Sequence, residues 1–571
     1  MRASPFRAGW LLAALLTAAV GGQAMAEDVT LLRAREGAAA LMRGQYDKAI
    51  ASYNEALSAP EIADFIEASI YSDRGVAKWR LNQIKEAIDD FNKSIELSPE
   101  NATVYNNRGN ALMDLGHPDE AVKDFDRAVA LSPNYGPAYN NRGNARVALG
   151  QYNLAFQDFR KAVELMPQSA VPFNGRGMAH GELKRYHAAV RDLSRAIGLN
   201  PKYVAAYRHR ADAYLALGMY REAVADATEV FNLQQELSDP ELLLLRARAN
   251  AGDKKLNQAL DDLNKVIEQK PEWVDAYIER GNVFAGVRRF DDAIGDFNRA
   301  VELDPKNLKA YAMRASAKVQ TEAKDDALYD ANQALSISST DSLALRVRGN
   351  VYEALERPDE AIADYRNALA NDPFQTESRE ALQRLNQEVP PEQGRVLGEE
   401  VAGWVIKEPQ PGRYIASNPK YPAVRAELEM FGTGQPKILE WKLLKDALSG
   451  IGLLKYYAGD FGDGEESSLE YVAIVDTRAS KVVSIEPQKW GPNSAQWNWQ
   501  AVSVVVTDPD GNANEIQLRK VRQQRAAPRD DFWGFDRSAE TGVGGGEGRR
   551  GRRGGGGGEG SGGGMFNWLF R

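Results

Sequence analysis

Two periodicities divide the chain. From about residue 30 to residue 373, apolar residues recur three and four positions apart, the mark of helices with one buried face. Beyond residue 396 the spacing drops to two. Val424-Arg425-Ala426-Glu427-Leu428-Glu429-Met430 and Leu439-Glu440-Trp441-Lys442-Leu443 alternate strictly, which predicts half-buried strands. The clearest helical stretch is Ala102–Tyr135. Small residues stand at Gly109, Ala121 and Ala128, and large apolar ones at Tyr105, Leu112, Leu115, Phe125 and Leu131. A break at Gly116-His117-Pro118 and a stop at Ser132-Pro133 make this two short helices.

One helical hairpin of this kind cannot bury its apolar face alone, so copies should stack. An alanine early in the second helix recurs at Ala49, Ala87, Ala121, Ala155, Ala189, Ala223, Ala259, Ala293, Ala327 and Ala361. Seven of the nine steps are 34 residues, and the other two are 38 and 36. Ten units with this pattern of small residues, aromatics and a closing proline resemble the tetratricopeptide (TPR) family, whose repeat is about 34 residues. The resemblance covers residues 30–373. It implies a mostly α fold, a right-handed superhelical solenoid whose concave groove binds peptides or proteins. Extra residues near Asp64–Glu67 and at Ser238-Asp239 predict kinks at two seams. Residues 374–389, with a polar helix at Thr376–Glu388, are expected to cap the open end.

Two further series share the repeat period. An arginine precedes the small residue of the first helix, as at Arg74, Arg108, Arg142 and so on to Arg348, and an aspartate stands in the second helix, as at Asp90, Asp124, Asp158 and on to Asp364. The first unit lacks both, with Glu36 and Ser52 in their places. Joint presence and joint absence predict that the two side chains meet within one repeat, as a semi-buried ion pair fixing helix orientation. The functional alternative is a ladder of groove arginines for an anionic ligand. The other series is asparagine: Asn106, Asn107 and Asn110, then Asn140, Asn141 and Asn144, continued more sparsely by Asn174, Asn282 and Asn350. Asparagine is a poor helix former, so its repeated use inside helices asks for a reason. Placed on the exposed face of the first helices, its amide would donate to and accept from the backbone of an extended peptide. This is similar to the asparagine ladder in the repeat region of O-linked N-acetylglucosamine transferase, and departs from it after the fourth repeat. The plain alternative is solvated helix surface. No lysine-rich clamp for acidic C-termini is visible.

Residues 396–522 read as a small antiparallel β domain, a sandwich or barrel. Leu469–Val475 and Lys481–Ile485 flank a turn, and Trp497–Thr507 and Glu515–Lys520 flank another at Asp508-Pro509-Asp510-Gly511-Asn512. The four histidines of the chain all lie in the repeats and there is no cysteine, which excludes Ser-His and Cys-His catalysis and most zinc sites here. Candidate chemistry is reduced to an acidic loop at Asp460, Asp463, Glu465 and Glu466, against the reading of a solvated turn. Asp508, Asp510, Asn512 and Asn514 alternate like early calcium ligands, but Arg519 stands where the closing glutamate belongs. Trp490, Trp497 and Trp499 could stack on sugars, against the reading of core packing.

The ends change the picture of where the chain works. Arg2 and Arg7 precede an apolar run, Ala8–Val20, and Ala24-Met25-Ala26 is a small-x-small cleavage site, so residues 1–26 read as a signal peptide. Export to the periplasm or beyond is the expectation. Loss of the two arginines takes the formal charge from −9 to −11, which argues against a nucleic-acid partner. From Thr541 to Gly564, 15 of 24 residues are glycine, and such a segment should be a disordered tail. Residues 565–571 close the chain with Phe566, Trp568, Leu569 and Phe570, an aromatic motif in want of a docking site. The whole reads as an exported, non-catalytic scaffold for a protein or peptide partner, without metal or cofactor. The rival readings are a cell-wall glycan-binding module and an envelope enzyme using carboxylates of the β domain.

Overall fold

The structure is a computed structural model and describes residues 24–59, 62–235, 239–390, 395–410, 412–431, 434–444, 448, 450–460, 468–490, 493–499, 503–508 and 513–518. The expected signal peptide up to residue 23, the glycine-rich segment and the aromatic terminus lie outside them. Among the described residues there are 21 helices followed by 12 strands. The helices come in ten pairs: α1 (Ala24–Met42) and α2 (Tyr46–Leu57), α3 (Asp64–Arg80) and α4 (Ile84–Leu97), α5 (Ala102–Asp114) and α6 (Pro118–Leu131), α7 (Gly136–Ala148) and α8 (Tyr152–Leu165), α9 (Ala170–Glu182) and α10 (Tyr186–Leu199). They continue with α11 (Val204–Ala216) and α12 (Tyr220–Gln234), α13 (Pro240–Gly252) and α14 (Leu256–Gln269), α15 (Val274–Gly286) and α16 (Phe290–Leu303), α17 (Leu308–Val319) and α18 (Lys324–Ile337), α19 (Ser342–Ala354) and α20 (Pro358–Asn371). A single helix, α21 (Thr376–Arg384), ends the run and buries Ala381 and Leu382.

Local chemistry sets these bounds. Pro118 opens α6 where its missing N–H leaves no helical bond unmade, and the chain leaves the helix at Ser132 ahead of Pro133. Asn101 caps α5 by accepting the Thr103 N–H at 3.1 Å, and Asp239 caps α13 through Glu241 and Leu242. The small-aromatic pattern has a steric cause. A Cβ on Gly109 would stand 2.6 Å from the Phe125 ring, and Gly281 meets Phe297 in the same way. Paired helices thus approach until the ring of one fills the space a side chain would need on the other. The four extra residues at Asp64–Glu67 are spent inside α3, which runs 17 residues against 13 in α5, about one additional turn.

The chain divides into two compact units. One holds the described residues up to 183 together with 192–203, and the other holds 184–191 together with 204 onward. The second unit contains all the strands. A four-stranded sheet runs β1 (Arg395–Val401), β2 (Trp404–Gln410), β3 (Arg413–Ser417) and β4 (Arg425–Glu427) in order. A five-stranded sheet runs β5 (Lys437–Leu443), β6 (Ile451–Asp460), β7 (Ser468–Asp476), β8 (Lys481–Trp490) and β9 (Asn493–Ser494), and a three-stranded sheet runs β10 (Gln496–Trp499), β11 (Ser503–Thr507) and β12 (Ala513–Gln517). All pairings are antiparallel.

The sheets form layers rather than one barrel. Leu469, Tyr471, Ala473 and Val475 of β7 face a core shared with Trp404, Ile406 and Ala426 of the four-stranded sheet. Ile474 faces the opposite way, into a second core with Val504, Val506 and Ile516 of the three-stranded sheet. The five-stranded sheet is therefore buried on both faces, and β7 is continuous in hydrophobicity for that reason. Trp441 lies so close over Gly452 that any Cβ there would overlap its ring. The expected single strand Trp497–Thr507 is instead a hairpin, with Trp499 opposite Val504. Its apolar residues are odd-numbered at Trp497 and Trp499 and even-numbered at Val504 and Val506, so one strand would put them on opposite faces.

Candidate functional site

The arginine and aspartate series meets at short range in every repeat that carries it. Arg108 donates from Nε and Nη2 to the two carboxylate oxygens of Asp124 at 2.8 and 2.6 Å, and the residues stand 16 apart in sequence on α5 and α6. Arg142 and Asp158 meet at 2.5 Å, Arg280 and Asp296 at 2.7 Å, and Arg348 and Asp364 at 2.7 Å. Such forked pairs are strong because both bonds are charge-assisted and the geometry is planar. The bonds to Asp124 hold the Arg108 guanidinium above its ordinary pKa.

A third partner was not legible in the pairwise series. In six of these arginines the remaining Nη1 reaches back to the second helix of the preceding pair, as from Arg108 to Asn92 at 2.7 Å, Arg280 to Asn264 at 2.8 Å and Arg314 to Asn298 at 2.9 Å. Arg142 finds Asp126 there at 2.7 Å. The signal lies in the sequence as a recurring Asp-x-Asn with an apolar middle residue, as in Asp90-Phe91-Asn92 and Asp296-Phe297-Asn298. The flat face of the guanidinium is covered as well, with Tyr105 under Arg108 at 5.6 Å and Tyr277 under Arg280 at 5.8 Å. Each arginine so bonded fastens its helix to two others.

The asparagines behave differently, and one expectation is corrected. Asn106, Asn140 and Asn174 do not lie on an exposed face; they are 3%, 3% and 2% exposed. The first asparagine of each group turns into the packing between helices of successive repeats, as the buried neighbours Val104, Gly109 and Ala111 on α5 show. Asn107, Asn110, Asn141 and Asn144 are half-buried. Asn141 bridges the repeats by donating to the Asn106 side chain at 2.9 Å, and Asn140 donates to Asn141 at 3.2 Å. The relay then stops. Among the described residues the Oδ1 atoms of Asn140 and Asn144 are buried and accept no hydrogen bond. On α9 a glycine takes the place of the second asparagine, and a Cβ on Gly175 would stand 3.0 Å from Asn140 Oδ1 and 3.2 Å from Asn144 Oδ1. Any side chain at Gly175 would be forced against these two acceptors.

The second unit dresses the first helices of its repeats in charge. Arg248 on α13 donates to Glu279 on α15 at 3.1 Å, and Lys309 on α17 reaches the same carboxylate at 3.2 Å. Arg208 pairs with Asp239. Ion pairs here tie successive first helices together, and Asn250 and Asn282 each bury an Oδ1 that accepts no hydrogen bond among the described residues.

The β sheets offer less. Trp497 and Trp499 stack at 5.8 Å, opposite the buried Val506 and Val504, and Trp497 packs on that core. Trp499 is the more open at 39%. The pair forms the rim of that core. The side chains of Trp490 and Asp460, and Asp463, Glu465, Glu466, Asp510, Asn512 and Arg519, lie outside the described residues. Among the described residues no group of three histidines or acids is placed to hold a metal ion. No helix there is long and apolar enough to cross a membrane.

Comparison with known proteins bears on the helical part. Family models described as tetratricopeptide repeat match residues 102–135, residues 136–169 and 347–375, and residues 174–231 and 278–342, and one described as TPR repeat matches 75–116. No curated protein matches the chain. Among solved structures, a tetratricopeptide repeat protein from Parabacteroides merdae is 22% identical, with 43% of this chain and 94% of that one covered, at a TM-score of 0.36. Yeast Tom70 is 15% identical over 63% of this chain and 97% of its own, at 0.30, and MamA is 20% identical over 29% and 96%, at 0.25.

Proposed function

This is a tetratricopeptide-repeat protein, and from that premise we propose that it is an exported, non-catalytic scaffold holding an extended protein segment against the amide row of α5 and α7. The observation that carries this is the pair of buried acceptors, Asn140 Oδ1 and Asn144 Oδ1, with no partner beside the half-buried Asn107, Asn110 and Asn141. An unmet buried acceptor costs about 1–3 kcal/mol, so a helix does not carry two without return. Rotation of these amides toward an incoming strand supplies donors and acceptors in the pattern of a peptide backbone. Such contacts select an extended chain and are indifferent to most of its side chains. The Arg2, Arg7 and Ala8–Val20 segment with its Ala24-Met25-Ala26 site supports export, and a β domain lacking histidine and cysteine supports a role without catalysis.

The test uses the full chain and a pool of randomised twelve-residue peptides. Replacing Asn107 and Asn110 together by alanine removes bonds worth about 0.5–1.5 kcal/mol each, so capture should weaken roughly fivefold to a hundredfold at unchanged helical circular dichroism. Captured peptides remade with N-methylated backbone amides should bind worse still. Capture indifferent to both changes would return the asparagines to the packing alone.

A further inference from the structure

Residues 184–191, the approach and first turns of α10, belong to the same compact unit as the sheets and pack into them. Ala188 is wholly buried in the core that holds Trp404, Phe431 and Tyr456. Around it the contact is ionic. Glu429, two residues beyond β4, is 8% exposed and accepts the His187 N–H on Oε1 at 2.9 Å, with the Ala188 N–H also bonded to it. A carboxyl group from the sheets thus caps the N-terminus of α10, where the helix's own cap position is Arg185 and has no acceptor to offer. The Tyr456 hydroxyl donates to the Glu429 carbonyl at 3.0 Å. The Arg185 guanidinium lies over Phe431 at 5.1 Å. Arg191 pairs with Glu486 at 3.3 Å and stands 3.9 Å from Asp508, and Ser484 and Asn514 donate to the same Glu486. Glu429 Oε2 is buried and has no hydrogen-bond partner among the described residues.

We propose that Glu429 is a protonation-operated clasp, which as the neutral acid holds Lys184–Arg191 on the sheets and as the carboxylate lets that segment open. The geometry favours this sense of operation. Oε1 satisfies two N–H groups whether the acid is neutral or charged, whereas a charge shared with Oε2 is desolvated with no hydrogen bond to offset it. Of the two cations that act on it, Arg191 pairs with Glu486 and Arg185 lies over Phe431.

Burial pushes Glu429 up to about 7, against the opposing pull of the His187 and Ala188 N–H groups, Arg191 and Arg185. Of the groups facing it, His187, Arg185 and Tyr456 hold their state through that range. His187 is pushed down to about 4 by burial and by Arg191, so it stays neutral. Arg185 is lowered by burial to about 10 and stays charged. Burial drives the Tyr456 hydroxyl well above its ordinary value. Glu486 is raised by burial and carries three donors of its own.

The sign follows from linkage. An acid whose closed-state pKa lies above its ordinary 4.5 binds more protons closed than open, so closure is favoured at low pH and the advantage fades as pH rises through 7. Between pH 6 and pH 8 the closed-to-open ratio falls roughly tenfold.

Hydrogen exchange of the full chain at pH 6, 7 and 8, corrected for intrinsic exchange, reads the opening of peptides spanning 184–191. Opening should rise about tenfold from pH 6 to pH 8, while peptides from α5 and α6 show no such rise. In Glu429→Gln, which keeps the shape and cannot ionise, the dependence should vanish with the segment closed. Glu486→Gln should keep it. A wild-type segment with no pH dependence, a slope that survives Glu429→Gln, or one that disappears in Glu486→Gln would each overturn the proposal.

Discussion

Two side-chain series run through this chain at the same period, and the difference between them separates architecture from use. The arginine of the third repeat engages all three of its side-chain nitrogens. Arg108 has its own aspartate, Asn92 of the preceding pair and a tyrosine beneath it. The asparagine row of α5 and α7 makes two amide bonds and then leaves two buried acceptors unmet. Periodicity alone does not tell a scaffold from a site. Completeness of hydrogen bonding bears on it, because most buried polar groups of a folded chain are satisfied.

Breaking the arginine series should have the largest effect. Arg108→Ala strands Asp124, which is buried and has no second cation, and should cost about 3 kcal/mol, the low end expected for a semi-buried pair. Adding Asp124→Ala should recover part of that loss in a double-mutant cycle followed by urea unfolding. Arg142→Ala should cost less than Arg108→Ala, because Arg146 also reaches Asp158 at 2.6 Å. Equal losses would mean that pairing is not what the arginines contribute.

Next in size is Gly175→Ala. Its new Cβ meets the Phe159 ring at 2.8 Å and crowds the two unmet acceptors, so about 1–3 kcal/mol of stability should go and peptide capture with it. Asn92→Ala tests the third prong. It removes one bond to Arg108 and should cost about 0.5–1.5 kcal/mol with capture unchanged, since Asn92 belongs to the arginine series.

The helical array was legible because one pattern repeats ten times, and each copy restates the same steric rule. Gly109 against Phe125 and Gly281 against Phe297 show that rule directly. The bonding of Asn92 and Asn264 was not legible from pairs, since their role needs the preceding repeat as a neighbour. The burial of Asn106 and Asn140 was hidden for a related reason. Helical periodicity places a residue on a face, and only the stacking of successive repeats decides whether that face is open. In the sheets, β7 and β8 could be read from their turn, but alternation fails for a strand buried on both sides, so the layering of three sheets could not. Glu429 stands in an alternating run like any solvent-facing acid, and its partner segment is 242 residues away in sequence.

The central claim is that the amide row is kept for a ligand at the expense of the fold. Asn144→Leu tests it most directly, by thermal unfolding and peptide-pool capture on the same preparation. Leucine removes a buried unmet acceptor and is the better helix former, so the protein should become more stable by up to about 1 kcal/mol while capture falls. A variant that loses stability and keeps its capture would contradict the account.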